Sequence, residues 1–412
     1  MLNDSIAYRD RQLYVDDVAV ADIAAQVGTP VYIYSLRRIL DNLERIWWAF
    51  GIVAQNIHYS AKANANLTIL RTIIESGTSI DAVSGGEIFR ALKAGANAED
   101  IVFAGVGKTP AELRYALEVG VEWFNVENVR ELDHLNAIAG ELDRTAQIAL
   151  RLNPEVSANT HRYIATGHGG AKFGLTAETI RTILARQSEY PHLNFEGIHV
   201  HIGSQLHDTA GTRQAIEIAL ELMAPYPQLK TLNIGGGLPV PYEAEADLPT
   251  WEAFAAEVKP LLKGYDVYLE PGRSVVADAG ILVGQVLYTK QQAGETFYIT
   301  DASMTELIRP ALYEAHHEII PVRRRDSATS AASIVGPVCE TADVLGQNRD
   351  LPALNEGDLL AVLTSGAYGM VMSSNYNARP RPAEVAVNRD GKSWQVIRQR
   401  ETWDNLIELE TM

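Results

Sequence analysis

The sequence is short of cysteine, of basic charge and of long apolar runs. Its single cysteine, Cys339, leaves no partner for an intrachain disulfide. Lysine and arginine number 35 against 52 acidic residues, a formal charge of -17. Such a balance repels nucleic acid and anionic lipid, so a small molecule is the expected ligand. No stretch reaches the ~18 apolar residues needed to span a bilayer, and Met1 to Asp10 carries no apolar signal core. The expected location is therefore cytoplasmic. Repeats, flexible linkers and low-complexity tracts are missing as well.

What is present is ample material for a large core. The chain has 412 residues, 47% of them apolar, which is too long for one ordinary domain and suggests two. Eight short β-type runs recur at Ile57-Ser60, Ile80-Val83, Ile101-Ala104, Trp123-Val126, Ile148-Leu152, Glu196-Ile202, Leu232-Ile234 and Val267-Leu269. Helical periodicity lies between them, as at Ile216, Leu220 and Met223, which share one face. Thr109-Pro110-Ala111-Glu112 reads as a helix start, with an N-cap, a proline at the first turn and a capping-box glutamate.

The pattern predicts an α/β fold with a (β/α)8 barrel over residues 36-280, the open doubly wound sheet being its rival. After 280 come strand-like runs at Ile281-Tyr288, Thr296-Thr300, Ser333-Val338, Leu359-Leu363, Glu384-Val387 and Trp394-Ile397, with one helix near Thr305-Tyr313. Residues 281-412, joined by 1-35 with strand runs at Gln12-Val15 and Pro30-Tyr34, are expected to form a second, β-rich domain.

Barrel enzymes place their chemistry at the C-terminal ends of the strands. The unusual residues fall there repeatedly. Lys62 follows the first strand, Ser84-Gly85-Gly86 the second, His201 and Ser204 the sixth, Gly235-Gly236-Gly237 the seventh, and Glu270-Pro271-Gly272-Arg273 the eighth. A lysine in a desolvated barrel mouth has the lowered pKa that attack on an aldehyde requires. Glycines opening a helix let backbone N–H groups approach a phosphate, although such a run can also be a plain tight turn. Glu270 needs a partner if buried, either a protonated ring nitrogen or Arg273; the alternative role of Arg273 is to bind an anionic group of the ligand. His199 and His201 lie two apart on one strand. They suit a zinc or iron site, or the stacking of one imidazole, His201, on a flat cofactor.

These residues resemble the fold-type III, alanine-racemase-like pyridoxal-phosphate decarboxylases, and within them the branch that acts on diaminopimelate. The likeness spans essentially the whole chain. It is carried by Tyr59-Ser-Ala-Lys-Ala-Asn64, Asp81-Ala-Val-Ser-Gly-Gly-Glu87, His199-Val-His-Ile-Gly-Ser-Gln205, Gly235-Gly-Gly237 and Glu270-Pro-Gly-Arg-Ser274. Further blocks are Arg309-Pro-Ala-Leu-Tyr313, Gly336-Pro-Val-Cys-Glu340, Gly366-Ala-Tyr-Gly369 and Asn375-Tyr-Asn-Ala-Arg-Pro-Arg-Pro382.

The resemblance implies pyridoxal 5'-phosphate as cofactor and no metal. Lys62 resembles the Schiff-base lysine and His201 the stacked imidazole. Ser204, Gly236, Gly237 and the Gly272 turn look like phosphate ligands, and Glu270 looks like the partner of the pyridine nitrogen. Arg273, Arg309, Tyr313, Glu340 and Tyr368 resemble the substrate-binding set, with Arg273 and Tyr368 also reaching the cofactor. Cys339 looks like the acid that reprotonates Cα; a thiol's ordinary pKa near 8.5 suits it. In the family Cys339 and Glu340 come from the second subunit, which implies a homodimer with shared sites. The implied reaction is decarboxylation of meso-2,6-diaminopimelate to L-lysine and carbon dioxide. The stretch Ala165-Thr-Gly-His-Gly-Gly-Ala-Lys-Phe-Gly174 departs from the family, with His168-Gly169-Gly170 where a lid is expected.

The nearest rival is a decarboxylase of ornithine, arginine or a carrier-linked amino acid. A racemase would need acid-base groups on both faces of the substrate. From other classes come a metal-dependent hydrolase using His199 and His201, and a cofactor-binding protein without catalysis.

Overall fold

A computed structural model describes residues 1–54, 56–156, 166–167, 170–243 and 246–411. The chain divides into two compact units. One comprises Met1–Asp41, Pro241–Ala246 and Val275–Met412; the other comprises Asn42–Val240 and Asp247–Ser274. Among the described residues no helix is long and apolar enough to cross a membrane.

The second unit holds a closed barrel of eight parallel strands. These are β1 (Asn56–Ser60), β2 (Ser79–Ala82), β3 (Ile101–Phe103), β4 (Trp123–Val126), β5 (Ala146–Leu152), β6 (Leu193–Val200), β7 (Thr231–Asn233) and β8 (Asp266–Leu269). Each falls on one of the eight runs read from the sequence. Pairing of Tyr268 with Asn56 and of Leu269 with Ile57 closes the ring, so the open sheet is excluded. The strands were legible because they are buried on both faces; β3, β4 and β7 show no exposed residue.

Local chemistry starts the helices where expected. Thr109 caps the helix Pro110–Val119 in a full capping box with Glu112. Glu112 Oε1 also accepts the Gly85 N–H at 2.9 Å, which ties this cap to the start of the preceding helix, Gly85–Ala94. Ser84, two residues past β2, serves as the N-cap of that preceding helix.

The other unit is built on a nine-stranded sheet. The fully buried strand Val31–Ser35 lies between Gly280–Gln292, antiparallel to it, and Ala383–Val387, parallel to it. Ile33, Ile281, Val283, Val385 and Val387 join Ile6, Leu13 and Ile23 in its core. All six strand runs expected after residue 280 are present. The expected helix near Thr305-Tyr313 is confined to Arg309–Tyr313, because Ser303 and Thr305 side chains engage Glu306 in a buried turn instead. Sequence reading missed the strand Val344–Pro352, whose centre, Gln-Asn-Arg-Asp, is polar and bends through a positive φ at Asn348.

Candidate active site

Lys62 lies in the single 3-10 turn Ala61–Ala63 that follows β1. Its Nζ donates to Asp81 Oδ2, 2.9 Å away on β2, where Ser60 and Asp81 are register partners. The Ser60 hydroxyl stands 2.7 Å from the same oxygen and 3.0 Å from the Glu270 carbonyl, with one proton to give between them. Asp81 is wholly buried and its Oδ1 has no hydrogen-bond partner among the described residues. Burial raises its pKa; the Lys62 charge opposes the rise.

Glu270 follows β8 and is also buried. Its Oε1 accepts from two amides, Asn125 Nδ2 at 2.8 Å and Asn233 Nδ2 at 2.6 Å. Its Oε2 lies 3.2 Å from His199 Nε2, outside hydrogen-bond geometry. Burial alone would raise the pKa of this carboxyl. The charge and contact of His199, with Lys62 and the Asn233 amide, outweigh it and hold the group well below the usual range. Glu270 is thus an anion with one oxygen saturated by neutral donors.

β6 stops at Val200, so His201 begins the loop beyond it while His199 stays in the strand. His201 Nδ1 accepts the Gly236 N–H at 3.3 Å. Burial, reinforced by the positive charges of Arg151 and Lys62, pushes its pKa well below the ordinary value and keeps the imidazole neutral. Gly236 passes so close to the next strand end that an added Cβ would stand 2.4 Å from the Glu270 carbonyl oxygen. No other residue fits this turn. Gly237 has φ +101°, the left-handed region. Gly272 packs on Ser60, and the Ser60 N–H donates to the Pro271 carbonyl at 3.0 Å. Arg273 Nε and Nη2 donate to Ser204 Oγ at 3.2 and 3.1 Å. The barrel unit therefore gathers Lys62, His201, Ser204, Gly236, Gly237, Glu270, Gly272 and Arg273 at the C-terminal ends of its strands.

The remaining expected residues belong to the other unit. Arg309 is buried, with Nη1 3.0 Å from His317 Nε2 and its guanidinium 4.5 Å from the centre of the Tyr242 ring. The Leu363 carbonyl lies 2.9 Å from His317 Nδ1, which fixes the proton there and leaves Nε2 to accept from Arg309. Tyr313 closes the short helix Arg309 opens. Tyr368 adopts φ +56° in a turn after Leu359–Val362. Cys339 and Glu340 are exposed at the tip of a turn. Asp343 holds that turn: Oδ2 accepts the Val338 N–H at 2.8 Å and Oδ1 the Met304 N–H at 2.7 Å.

His168 and Gly169 lie outside the described residues. Nearby, Thr166 Oγ1 donates to the His201 carbonyl at 2.7 Å. Sequence reading quoted Asp81 without giving it a role, and missed Asn125, Asn233, His317 and Asp343. The first three share a legible signal: a polar side chain inside an apolar barrel strand, as in Ser79–Ala82, Trp123–Val126 and Thr231–Asn233, must find a buried partner. Among the described residues no three histidine, cysteine or acidic side chains come together as a metal-holding group.

A lysine, an anionic glutamate and a glycine cradle at one barrel mouth define a class, the pyridoxal-dependent decarboxylases. Residues 36–277 match the model of their pyridoxal binding domain. Over 413 residues the chain is 45% identical to the diaminopimelate decarboxylase of Vibrio cholerae, covering 98% of this chain and 97% of that one. Two solved diaminopimelate decarboxylases are similar throughout. That of M. jannaschii gives a TM-score of 0.93 at 36% identity, covering 100% of this chain and 98% of the other. That of Helicobacter pylori, complexed with L-lysine, gives 0.89 at 37%, covering 95% and 98%. The chain belongs to the diaminopimelate decarboxylase family.

Proposed function

We propose that this chain binds pyridoxal 5'-phosphate through Lys62 and decarboxylates meso-2,6-diaminopimelate to L-lysine and carbon dioxide, as a homodimer whose subunits lend each other Cys339 and Glu340. The observation that carries the cofactor assignment is the Glu270 carboxylate. Saturated at Oε1 and anionic, it offers Oε2 to a protonated ring nitrogen. The glycine run does not open a helix as the sequence suggests, the next one among the described residues being Trp251–Val258; as a turn without side chains beside Ser204 it leaves room for a phosphate. The neutral imidazole of His201 fits the flat face of a ring.

When bound, pyridoxal phosphate supplies the sink for the electron pair left at Cα as carbon dioxide departs. The chain's own groups do the rest. Lys62 is the amine that holds the cofactor's aldehyde carbon, and Asp81 keeps that amine placed at the strand end. Ser204, Gly237 and Gly272 hold the phosphate, and Gly236, whose N–H goes to His201 Nδ1, leaves room for it by having no side chain. Arg273 and Tyr368 serve cofactor and substrate, and Arg309 and Tyr313 bind the carboxylate that is retained. Glu340 binds the distal ammonium, and the Cys339 thiol returns a proton to Cα. The exposure of both on a held turn supports their use by a second subunit.

The test is lysine and carbon dioxide release from meso-diaminopimelate by cofactor-loaded protein, beside ornithine and arginine. Turnover is expected with diaminopimelate and its loss in Lys62→Ala. A loaded wild-type chain inert toward diaminopimelate, or faster on ornithine, would sink the substrate assignment.

A further inference from the structure

Glu270 is gripped by groups that no part of the reaction just described uses. Asn125 stands on β4 and Asn233 ends β7, so the carboxylate is reached from two parts of the ring of strands. The orientation of each amide is fixed by what its oxygen accepts. Asn125 Oδ1 takes the Trp123 Nε1–H at 3.2 Å, and Asn233 Oδ1 takes the Gly235 N–H at 2.9 Å. Both donors lack any acceptor function, so neither amide can flip, and both NH2 groups must face Glu270. The chain of donation runs from Trp123 through Asn125, and from the Gly235 backbone through Asn233, to one oxygen.

We propose that Asn125 and Asn233 are positioning residues that clamp Oε1 of Glu270 and so aim Oε2 at the cofactor's ring nitrogen, and that Asn233 ties this aim to the glycine turn that holds the phosphate. The inference rests on the reading of Glu270 as the ring-nitrogen partner. Its physical point is the neutrality of the clamp. An arginine in either place would saturate the same oxygen but cancel the charge that attracts the ring N–H. Two amides fix the carboxylate without adding a charge of their own, and His199, 3.2 Å from Oε2, makes no hydrogen bond that would hold that oxygen. A second tie reinforces the coupling, since the Glu270 N–H donates to the Gly235 carbonyl at 2.7 Å. The turn and the carboxylate therefore move as one body.

Three probes separate the two functions: pyridoxal phosphate, pyridoxal without the phosphate, and the 1-deaza analogue of pyridoxal phosphate, which has carbon in place of the ring nitrogen. Affinities are compared as ratios within each protein, so a partly unfolded fraction cancels. In Asn125→Ala the preference for pyridoxal phosphate over its deaza analogue should fall about tenfold, the size of one hydrogen bond to a charged group, while the preference over pyridoxal is unchanged. In Asn233→Ala both preferences should fall. A wild-type chain that discriminates the deaza analogue while both alanine variants discriminate it equally overturns the clamp and spares the reading of Glu270. A wild-type chain that does not discriminate it overturns both.

Discussion

A carboxylate with no exposed atom is costly even beside a lysine, and Asp81 bears that cost. One of its oxygens has two donors in reach and the other has none among the described residues. Because burial raises its folded-state pKa, the native state holds this proton more tightly than the unfolded chain does. Stability attached to the group is therefore complete below the unfolded value, about 3.9, and is lost as pH rises through the folded one. Asp81→Asn removes that loss. Thermal melts should show the variant gaining stability over wild type as pH rises from 4 to 8, by roughly 1–3 kcal/mol, and no gain at the acid end. A difference independent of pH would mean that Asp81 is not strained. Glu270, whose charge adds to the rise at Asp81, has the opposite sign. Polar contacts and positive charge lower its pKa, so its contribution is present at neutral pH and lost in acid.

Among the elements, the turn from Gly336 to Glu340 illustrates how exposed residues are kept in place. Cys339 and Glu340 project from it, yet its base closes around Asp343, so tightly that a Cβ on Gly336 would lie 2.4 Å from Oδ2. Asp343→Ala removes the two carboxylate oxygens that accept the Val338 and Met304 N–H groups. It should lower turnover on diaminopimelate by roughly tenfold to a hundredfold, the range expected for about 1 Å of misplacement. The spectrum of the bound cofactor should be unchanged. Loss of cofactor together with turnover would show the turn to matter for folding instead. Elements also explain what the sequence discloses. Buried strands such as β3 and β4 announce themselves as apolar runs, and the Thr109 cap by its spacing. Val344–Pro352 stays hidden because its exposed middle has no alternation to read. In the site, Lys62 and the glycines were found by position at strand ends. Asn125 and Asn233 were not, because a polar side chain inside an apolar strand signals that it needs a buried partner but not which one, until β4, β7 and β8 are brought into one ring.

For the whole molecule, the proposed sharing of residues has a direct measure. Lys62→Ala and Cys339→Ala should each be inactive as homodimers. Mixed and allowed to exchange subunits, they should regain activity, because one site in each mixed dimer then holds both Lys62 and Cys339. Equal mixing gives half mixed dimers with one intact site each, hence about a quarter of wild-type activity. No recovery after demonstrated exchange would place both residues of a site on one chain.

The strand Val31–Ser35 carries a consequence for the making of the protein. It leaves the ribosome well before either of its neighbours, Gly280–Gln292 and Ala383–Val387, and it is buried along its full length between them. At roughly 5–20 residues per second it waits on the order of tens of seconds with both edges open and its apolar faces wet. Such a segment is a template for pairing with another nascent chain. This stretch is where a holding chaperone would bind, and where a polar substitution would weaken the finished sheet.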